Sequence, residues 1–204
     1  MDRIRRMSAP LLLVTGFGPF EEVEENPSAR IVERLDADPP ADVELAVRIL
    51  PVSFRRSTSG LESALKALEP RRPDAILSLG VHTKSKSFRI ERHATTTLKN
   101  GRPDVLGVEA DSLRLPKDKR LSSTLDLEAL REALEQSGSP SAELSENAGG
   151  YVCERLYYSA LKRAEKLGVP AVFLHVPPLE QIKFEAQVRS VRQFLTALAR
   201  QISL

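Results

Sequence analysis

The segment Leu11-Leu-Leu-Val-Thr15, followed by Gly16-Phe-Gly-Pro-Phe20 and then by Asn26-Pro27, decides the fold class of this chain. The first of these pieces is an apolar run with the length of one buried strand. Asn26 is a residue type that caps helices, Pro27 suits the first helical position, and apolar residues follow at helical spacing over 31–35. The segment therefore predicts a strand, a loop and a helix, the unit from which parallel α/β sheets are built.

The same alternation of strand and helix patterns continues to residue 202. Further strands are predicted at Val43–Val52, Ala75–Leu79, Phe88–Thr97 and Ala171–Val176, and helices on the apolar stripes of 61–68, 127–134, 152–167 and 184–202. Two polar stretches, Asn100–Arg120 and Ser137–Asn147, are predicted to be irregular loops. This order predicts one α/β domain over residues 11–204, after a flexible tail of residues 1–10. Its expected architecture has three layers, with an open, twisted, mostly parallel sheet and helices on both faces.

Composition excludes several classes of protein. A chain of 204 residues, 41% of them hydrophobic, can bury a core without disulfides or metals. Its single cysteine cannot form an intramolecular disulfide, so a soluble protein of the reducing cytoplasm is expected. A net charge of +2 gives no basis for binding nucleic acid. No apolar run approaches the roughly 20 residues needed to cross a membrane. No cofactor is expected, and no cluster has the spacing of metal ligands.

Cys153 is the one residue that could act as a thiol nucleophile. The glycine pair in Asn147-Ala-Gly-Gly-Tyr-Val-Cys153 predicts a tight turn that leads into a helix. A cysteine in the first turn of a helix lies at the positive end of the helix dipole, which lowers the pKa of the thiol. Backbone N–H groups of the same turn could stabilise an oxyanion. The alternative interpretation is a buried structural cysteine, since free cysteine packs as a small hydrophobe.

A thiol nucleophile needs a base, and the chain has three histidines. His175 is predicted at the carboxyl end of a strand, where open α/β sheets place their sites, and His82 follows another strand. His93 lies inside the predicted strand Phe88–Thr97. Spacing favours His175 or His82 and does not decide between them. Glu91 lies in the same strand as His93, where a glutamate is expected on a solvated face unless it has a function.

Three further features give weaker indications. The glycine-rich Thr15–Phe20 lacks both the dinucleotide-binding spacing and a P-loop lysine, so it gives little support for nucleotide binding. The basic stretch Lys84–Arg92 could attract an anion, although such a stretch is typical of a solvated surface. Phe17 and Phe20 either line an apolar pocket near the end of the first strand or belong to the ordinary core.

Four blocks of the sequence carry a resemblance to a known family when they are taken together and in order. They are Leu13–Phe20 with Asn26-Pro-Ser28, Ile90-Glu-Arg-His-Ala94, Asn147–Cys153 and Phe173-Leu-His-Val-Pro177. In these blocks the chain resembles the pyroglutamyl peptidase I family, the pyrrolidone-carboxylate peptidases, which are cysteine peptidases. The resemblance implies that Cys153 is the nucleophile, His175 the base and Glu91 the carboxylate that orients it, and so favours His175 over His82.

The resemblance also implies a substrate and an assembly. The expected reaction removes an N-terminal pyroglutamyl (5-oxoprolyl) residue from peptides through a thioacyl-enzyme intermediate. Residues that match the family's substrate site are Phe17, Phe20, Tyr151 and Val152, and Arg102 is the nearest counterpart of an arginine that the family carries after its glutamate. The family often forms tetramers, so a homo-oligomer, either a dimer or a tetramer, is expected.

The chain departs from the family pattern at several positions. The segment Gly80–Ser87 lacks the usual glycine-rich stretch with its arginine, and Glu154 stands where an asparagine is usual after the cysteine. Two alternatives therefore accompany the peptidase hypothesis: an amidase of the same scaffold with an altered substrate preference, and a non-catalytic protein that binds a small ligand. A nucleoside- or phosphate-binding protein would need an anion site, for which only the stretch around Lys84 is a candidate.

Overall fold

The computed structural model describes residues 9–21, 23–99, 101–136, 138 and 141–203, and within these ranges the chain forms eight strands and five α-helices. The strands are β1 (Leu11–Phe17), β2 (Glu44–Leu50), β3 (Ala75–Val81), β4 (Phe88–Glu91), β5 (His93–Thr95), β6 (Arg120–Ser122), β7 (Ala142–Ser145) and β8 (Ala171–Val176). The helices are α1 (Pro27–Ala37), α2 (Phe54–Ala67), α3 (Leu127–Gln136), α4 (Val152–Leu167) and α5 (Phe184–Ile202). Of the tail predicted for residues 1–10, residues 1–8 lie outside the described ranges.

Six strands form one sheet in the order β2-β1-β3-β8-β4-β7. Neighbouring strands in this sheet run parallel, except that β4 is antiparallel to β8. The antiparallel pair places Arg89 opposite His175 and Glu91 opposite Phe173. The predicted open, mostly parallel sheet is confirmed, and the reversal at β4 brings two sequence blocks together that lie far apart along the chain.

The two faces of the sheet pack against different helices, because successive side chains of a strand point to opposite faces. In β8, Val172 and Leu174 belong to a core cluster that includes residues of α1, α3 and α5. Ala171 and Phe173 belong to a second cluster with residues of α2 and α4. The three-layer arrangement in a single domain is therefore confirmed. None of the helices in the described ranges has the length and apolar character to cross a membrane.

Local signals explain where the helices begin and end. The side chain of Asn26 accepts a hydrogen bond from the N–H of Ser28 at 3.1 Å and so caps α1, with Pro27 in the first position as predicted. Ser53 caps α2 in the same way, a start that the sequence analysis did not identify. Gly168 ends α4 with a φ of 67°, a left-handed conformation that glycine adopts without steric cost.

Two predicted segments differ from the structure. The single strand predicted at Phe88–Thr97 is divided, since β4 joins the main sheet whereas β5 pairs with β6 in a separate two-stranded sheet. The stretch Ser137–Asn147, predicted to be a loop, contains β7, which forms one edge of the main sheet beside β4. The loop predicted at Asn100–Arg120 reaches the first residue of β6. Positions 100, 137, 139 and 140 of these loops lie outside the described residues.

Candidate active site

A cavity of about 360 Å³ opens where three strands of the main sheet end. Phe17 and Val81 are the last residues of β1 and β3, His175 is the last but one of β8, and all three line the cavity together with Cys153. The carboxyl ends of parallel strands are the place where open α/β sheets bind their ligands. Three of the four sequence blocks that carry the family resemblance therefore contribute residues to one concave surface: Phe17, Cys153 and His175.

Cys153 is the second residue of α4 and lies in the wall of this cavity. The turn before the helix passes through Gly149 and Gly150, whose φ values of 95° and 61° explain why glycines are needed there. The thiol is partly exposed rather than sealed in the core. Its position in the first turn of α4 places it beside backbone N–H groups that carry partial positive charge. The expected tight turn into a helix is confirmed.

Gly80 makes room for the thiol. A Cβ atom at residue 80 would lie 3.0 Å from Sγ of Cys153 and 2.9 Å from the ring of Phe173. Both separations are shorter than ordinary van der Waals contacts of about 3.5–4.0 Å. The absence of a side chain at the end of β3 therefore fixes how closely the cysteine approaches the sheet.

His175 and Glu91 form a buried hydrogen-bonded pair. Nδ1 of His175 lies 2.7 Å from Oε1 of Glu91, and the two residues are only 2% and 0% exposed. Burial by itself lowers the pKa of His175, but its interactions with Cys153 and Glu91 outweigh burial and raise the pKa to about 9. Because Nδ1 faces Glu91, Nε2 is the ring nitrogen left for the thiol. These interactions favour the protonated, imidazolium form of His175.

Glu91 does not lie on the solvated face that exposure statistics lead us to expect. Its strand, β4, is covered on both sides by β8 and β7, and the residue is fully buried. The hydroxyl of Tyr157 donates a hydrogen bond of 2.9 Å to the backbone carbonyl of Glu91 and holds the strand from α4. Oε2 of Glu91 has no hydrogen-bond partner among the described residues. A buried carboxylate of this kind needs a special reason to be present.

The other two histidines occupy different surroundings. His82 lines the same cavity, and its ring meets the ring of His175 edge-on with centroids 5.6 Å apart. Burial, followed by the positive charges of His175 and Arg89, lowers the pKa of His82. His93 does not line the cavity, and its Nδ1 lies 2.7 Å from Arg120. Spacing along the chain did not decide between His82 and His175. Both line the cavity, and His175 is the one that pairs with Glu91.

The residues expected to bind substrate divide into two groups. Those that line the cavity are Phe17, Phe20, Tyr151 and Arg102. Val152 is fully buried in the core cluster with α2 and α4 and is not among the residues that line the cavity. Its side chain follows the first turn of α4 into the core, as expected for an apolar residue on the inner face of a helix.

Arg102 and Tyr151 form one wall of the cavity. The guanidinium carbon of Arg102 lies 4.4 Å from the centroid of the Tyr151 ring, and its NH1 group donates a hydrogen bond of 2.7 Å to Glu21. The hydroxyl of Tyr151 donates to the backbone carbonyl of Pro103 at 2.8 Å, and its ring meets Phe54 edge-on. The charge of Arg102 is therefore compensated before any ligand binds.

Glu154 holds the turn that precedes the nucleophile candidate, a role that the sequence analysis missed. Its Oε1 accepts a hydrogen bond from the N–H of Thr95 at 2.6 Å, and its Oε2 accepts one from the N–H of Gly150 at 3.3 Å. The residue is only 3% exposed. The departure from the family's asparagine thus places a carboxylate that ties the glycine turn to β5. An acidic residue in the first turn of α4 was the available signal.

A thiol at the start of a helix and a buried histidine–carboxylate pair at the edge of an α/β sheet define a hydrolase of the cysteine type. Comparison with known proteins makes this more specific. The chain belongs to the pyroglutamyl peptidase family, whose sequence model matches residues 11–197. The resemblance predicted from the four sequence blocks is confirmed.

Individual relatives agree with the family over most of the chain. The pyrrolidone-carboxylate peptidase of Pyrococcus furiosus is 33% identical over 176 residues, which cover 84% of this chain and 83% of the relative. Pyrrolidone-carboxylate peptidase 1 of Ralstonia nicotianae is 31% identical over 180 residues, which cover 83% and 79%. The crystal structure of pyrrolidone carboxyl peptidase from Fervidobacterium islandicum superimposes with a TM-score of 0.84 at 32% identity, covering 94% of this chain and 99% of that one.

Proposed function

We propose that this protein removes an N-terminal pyroglutamyl residue from peptides, with Cys153 as the nucleophile. His175 is the base and the later acid, and Glu91 orients it and stabilises its imidazolium. The observation that carries the proposal is the buried His175–Glu91 pair of 2.7 Å, which borders the same cavity as the thiol. Membership of the pyroglutamyl peptidase family supports the substrate class.

The proposed reaction proceeds in two halves. His175 takes the proton of the Cys153 thiol, and its pKa of about 9 favours the resulting thiolate–imidazolium pair near neutral pH. The thiolate attacks the carbonyl carbon that joins the pyroglutamyl residue to the next residue, and backbone N–H groups at the start of α4 stabilise the oxyanion. The C–N bond then breaks, and His175 gives its proton to the leaving amine.

The second half releases the product. The pyroglutamyl group remains as a thioester on Cys153, and a water molecule attacks its carbonyl carbon while His175 accepts a proton from the water. The C–S bond breaks, free pyroglutamate leaves, and the thiol regains its proton. Glu91 takes no proton in either half, since its part is to hold Nδ1 and to compensate the charge on the ring.

The chemistry of the cavity supports an uncharged substrate group. A pyroglutamyl ring is a small lactam without charge, which suits an apolar slot with a few hydrogen bonds. Phe17, Phe20 and Tyr151 provide aromatic walls, and the charge of Arg102 is occupied by Glu21. Val152 supports this site from the core behind it rather than by contact with the ring.

Compartment and assembly are part of the same proposal. The protein acts in the cytoplasm, where a reducing environment keeps the Cys153 thiol available. It acts as a homo-oligomer, a dimer or a tetramer, as the family resemblance implies. Val105 and Leu106 are 44% and 49% exposed and could contribute to contacts between copies, because large apolar side chains at a surface favour association. Size-exclusion chromatography with light scattering distinguishes a monomer from either assembly.

Hydrolysis of fluorogenic amides tests the reaction. Under reducing conditions, the wild type is expected to release aminomethylcoumarin from its pyroglutamyl derivative and not from the prolyl or glutaminyl derivatives. Cys153→Ala is expected to lose this activity by a factor of about 10³ or more. Release from the prolyl or glutaminyl derivative alone would favour an amidase of altered preference. A wild type that is inactive on all three substrates would refute the peptidase proposal.

A further inference from the structure

Arg89 lies beside the buried His175–Glu91 pair. Arg89 and Glu91 share a face of β4, because side chains at positions i and i+2 of a strand point the same way. The antiparallel pairing of β4 with β8 also sets Arg89 opposite His175. Nε of Arg89 lies 3.7 Å from Oε1 of Glu91, the same oxygen that contacts Nδ1 of His175. One carboxylate oxygen therefore lies between an imidazole and a guanidinium.

The guanidinium of Arg89 is held in place from its other side. NH1 donates a hydrogen bond of 2.8 Å to Glu143, and NH2 donates one of 2.8 Å to the hydroxyl of Ser145. Both partners belong to β7, the strand at the edge of the sheet. The side chain of Arg89 is only 23% exposed, so solvent screens its charge less than that of an ordinary surface arginine. Its position is thus fixed by two residues of the neighbouring strand β7.

Glu91 needs a cation of this kind. It is 0% exposed, and its Oε2 has no hydrogen-bond partner among the described residues, so the carboxylate has lost much of its hydration. Burying a carboxylate without a compensating charge is costly. Against this cost, His175 on β8 and Arg89 on its own strand supply positive charge.

The field of Arg89 extends to the rest of the site. His82, in the loop after β3, has its pKa lowered by burial and then by the charges of His175 and Arg89. Cys153 on α4 borders the same cavity, as do Lys84, Tyr151 and Arg102. Tyr157 of α4 donates its hydroxyl to the backbone of Glu91. No arginine occurs in the segment Gly80–Ser87 that precedes β4. Arg89 is thus the arginine that the chain places next to this pair.

We propose that Arg89 is a positioning residue for the reaction, whose anchored guanidinium holds the Glu91 carboxylate against Nδ1 of His175 and supplies a fixed positive charge beside the Cys153–His175 pair. The proposal rests on the proposed function, in which the Cys153–His175 pair carries out the chemistry. Arg89 acts through Glu91 and does not contact the substrate.

Substitution of Arg89 separates its charge from its bulk. Arg89→Met removes a fixed positive charge, which makes each nearby proton harder to remove. Both limbs of the pH profile of kcat/KM are therefore expected to move to higher pH by about one unit. At pH 7 we expect kcat to fall about tenfold with little change in KM, because an interaction that acts only on the reacting groups has been lost. Arg89→Lys keeps the charge and is expected to keep both limbs within about a third of that shift.

Alkylation of Cys153 gives a second readout that needs no substrate. Cys153 is the only cysteine of the sequence, so the rate of iodoacetamide labelling against pH reports its thiolate alone. The acid limb of this profile is expected to move upward in Arg89→Met. If it does so while the wild type cleaves no pyroglutamyl substrate, the proposed function fails and the role of Arg89 in tuning the thiolate stands.

Arg192 offers a matched control. Its side chain is 28% exposed and pairs with Asp38 at 2.8 Å, so Arg192→Met removes an arginine of similar burial on α5, outside the site. This variant is expected to leave both pH profiles unchanged. The proposal would be overturned if the limbs of both pH profiles stayed in place in Arg89→Met. If the methionine variant does not fold, Arg89→Gln is used for the same comparison. An equal shift in Arg89→Lys would overturn the proposal as well, because it would show that bulk rather than charge matters.

Discussion

Gly80→Ala tests whether the close approach of Cys153 to the sheet matters for the chemistry. The added Cβ atom would lie 3.0 Å from Sγ of Cys153 and 2.9 Å from Cζ of Phe173. Contacts of this type are normally about 3.5–4.0 Å long, so roughly 0.5–1 Å of overlap must be relieved. Phe173 is 0% exposed and packed between the sheet and two helices, whereas the thiol borders a cavity. We therefore expect the thiol to move.

The size of the effect follows from that displacement. A reacting atom displaced by about 1 Å can cost on the order of 100-fold in rate. At about 1.4 kcal/mol for each factor of ten, a 100-fold loss is about 2.7 kcal/mol of transition-state stabilisation. Overpacking beside Phe173 is expected to lower the free energy of unfolding by about 1–3 kcal/mol in addition. The loss should appear in kcat, since Gly80 leaves the aromatic walls of the cavity unchanged.

Three measurements separate displacement of the thiol from unfolding. The first is the determination of kcat and KM on a pyroglutamyl anilide. The second is the rate at which iodoacetamide labels Cys153, and the third is thermal unfolding. Gly18→Ala is the matched control, because a Cβ atom there would meet its nearest atoms at 3.8 Å, an ordinary contact. A folded Gly80→Ala variant with the kcat and labelling rate of the wild type would show that the contact with Cys153 has no mechanistic weight.

Three further changes test other parts of the site. Glu91→Gln is expected to lower kcat less than Cys153→Ala or His175→Ala, because it removes an orienting group rather than a reacting one; equal losses in the three variants would contradict this. In Cys153→Ala the pKa of His175 is expected to fall, since Cys153 contributes the largest of the interactions that raise it, and an unchanged imidazole titration by NMR would be evidence against a thiol–imidazole contact. Glu154→Ala leaves the N–H groups of Thr95 and Gly150 without their acceptor and is expected to cost about 1–3 kcal/mol of stability and to lower kcat. Glu154→Gln should recover part of the lost stability and part of the lost kcat. Full activity in Glu154→Ala would show that the reaction does not depend on how Glu154 holds the glycine turn.

Elements that depend on local signals could be predicted from the sequence. The bounds predicted for β8 and α5 coincide with those of the structure, and Asn26-Pro27 starts α1 as expected. β7 could not be predicted, because Ala142-Glu-Leu-Ser145 has no apolar run and becomes a strand by pairing with β4. The division of Phe88–Thr97 likewise depends on which distant strand each half meets.

The site shows the same division between local and distant information. The Gly149–Gly150 turn and the position of Cys153 in α4 follow from adjacent residues and were predicted. The partner of Glu91 depends on the strand order β3-β8-β4, which no spacing along the chain reveals. For that reason spacing did not decide between His82 and His175, and only the family resemblance favoured the histidine that the structure pairs with Glu91.

The register of β4 sets the electrostatics of this site. Arg89 and Glu91 face the layer of α2 and α4, from which Cys153 comes, whereas Phe88 and Ile90 pack into the cluster on the opposite face. A slip by one residue would exchange the two faces and direct both charged side chains into the apolar layer. Burying an uncompensated charge is costly. The apolar pair Phe88 and Ile90 and the charged pair Arg89 and Glu91 therefore favour the same register of β4. The alternation along four residues of β4 therefore serves two purposes at once: it closes the core, and it delivers a carboxylate with its own cation to His175.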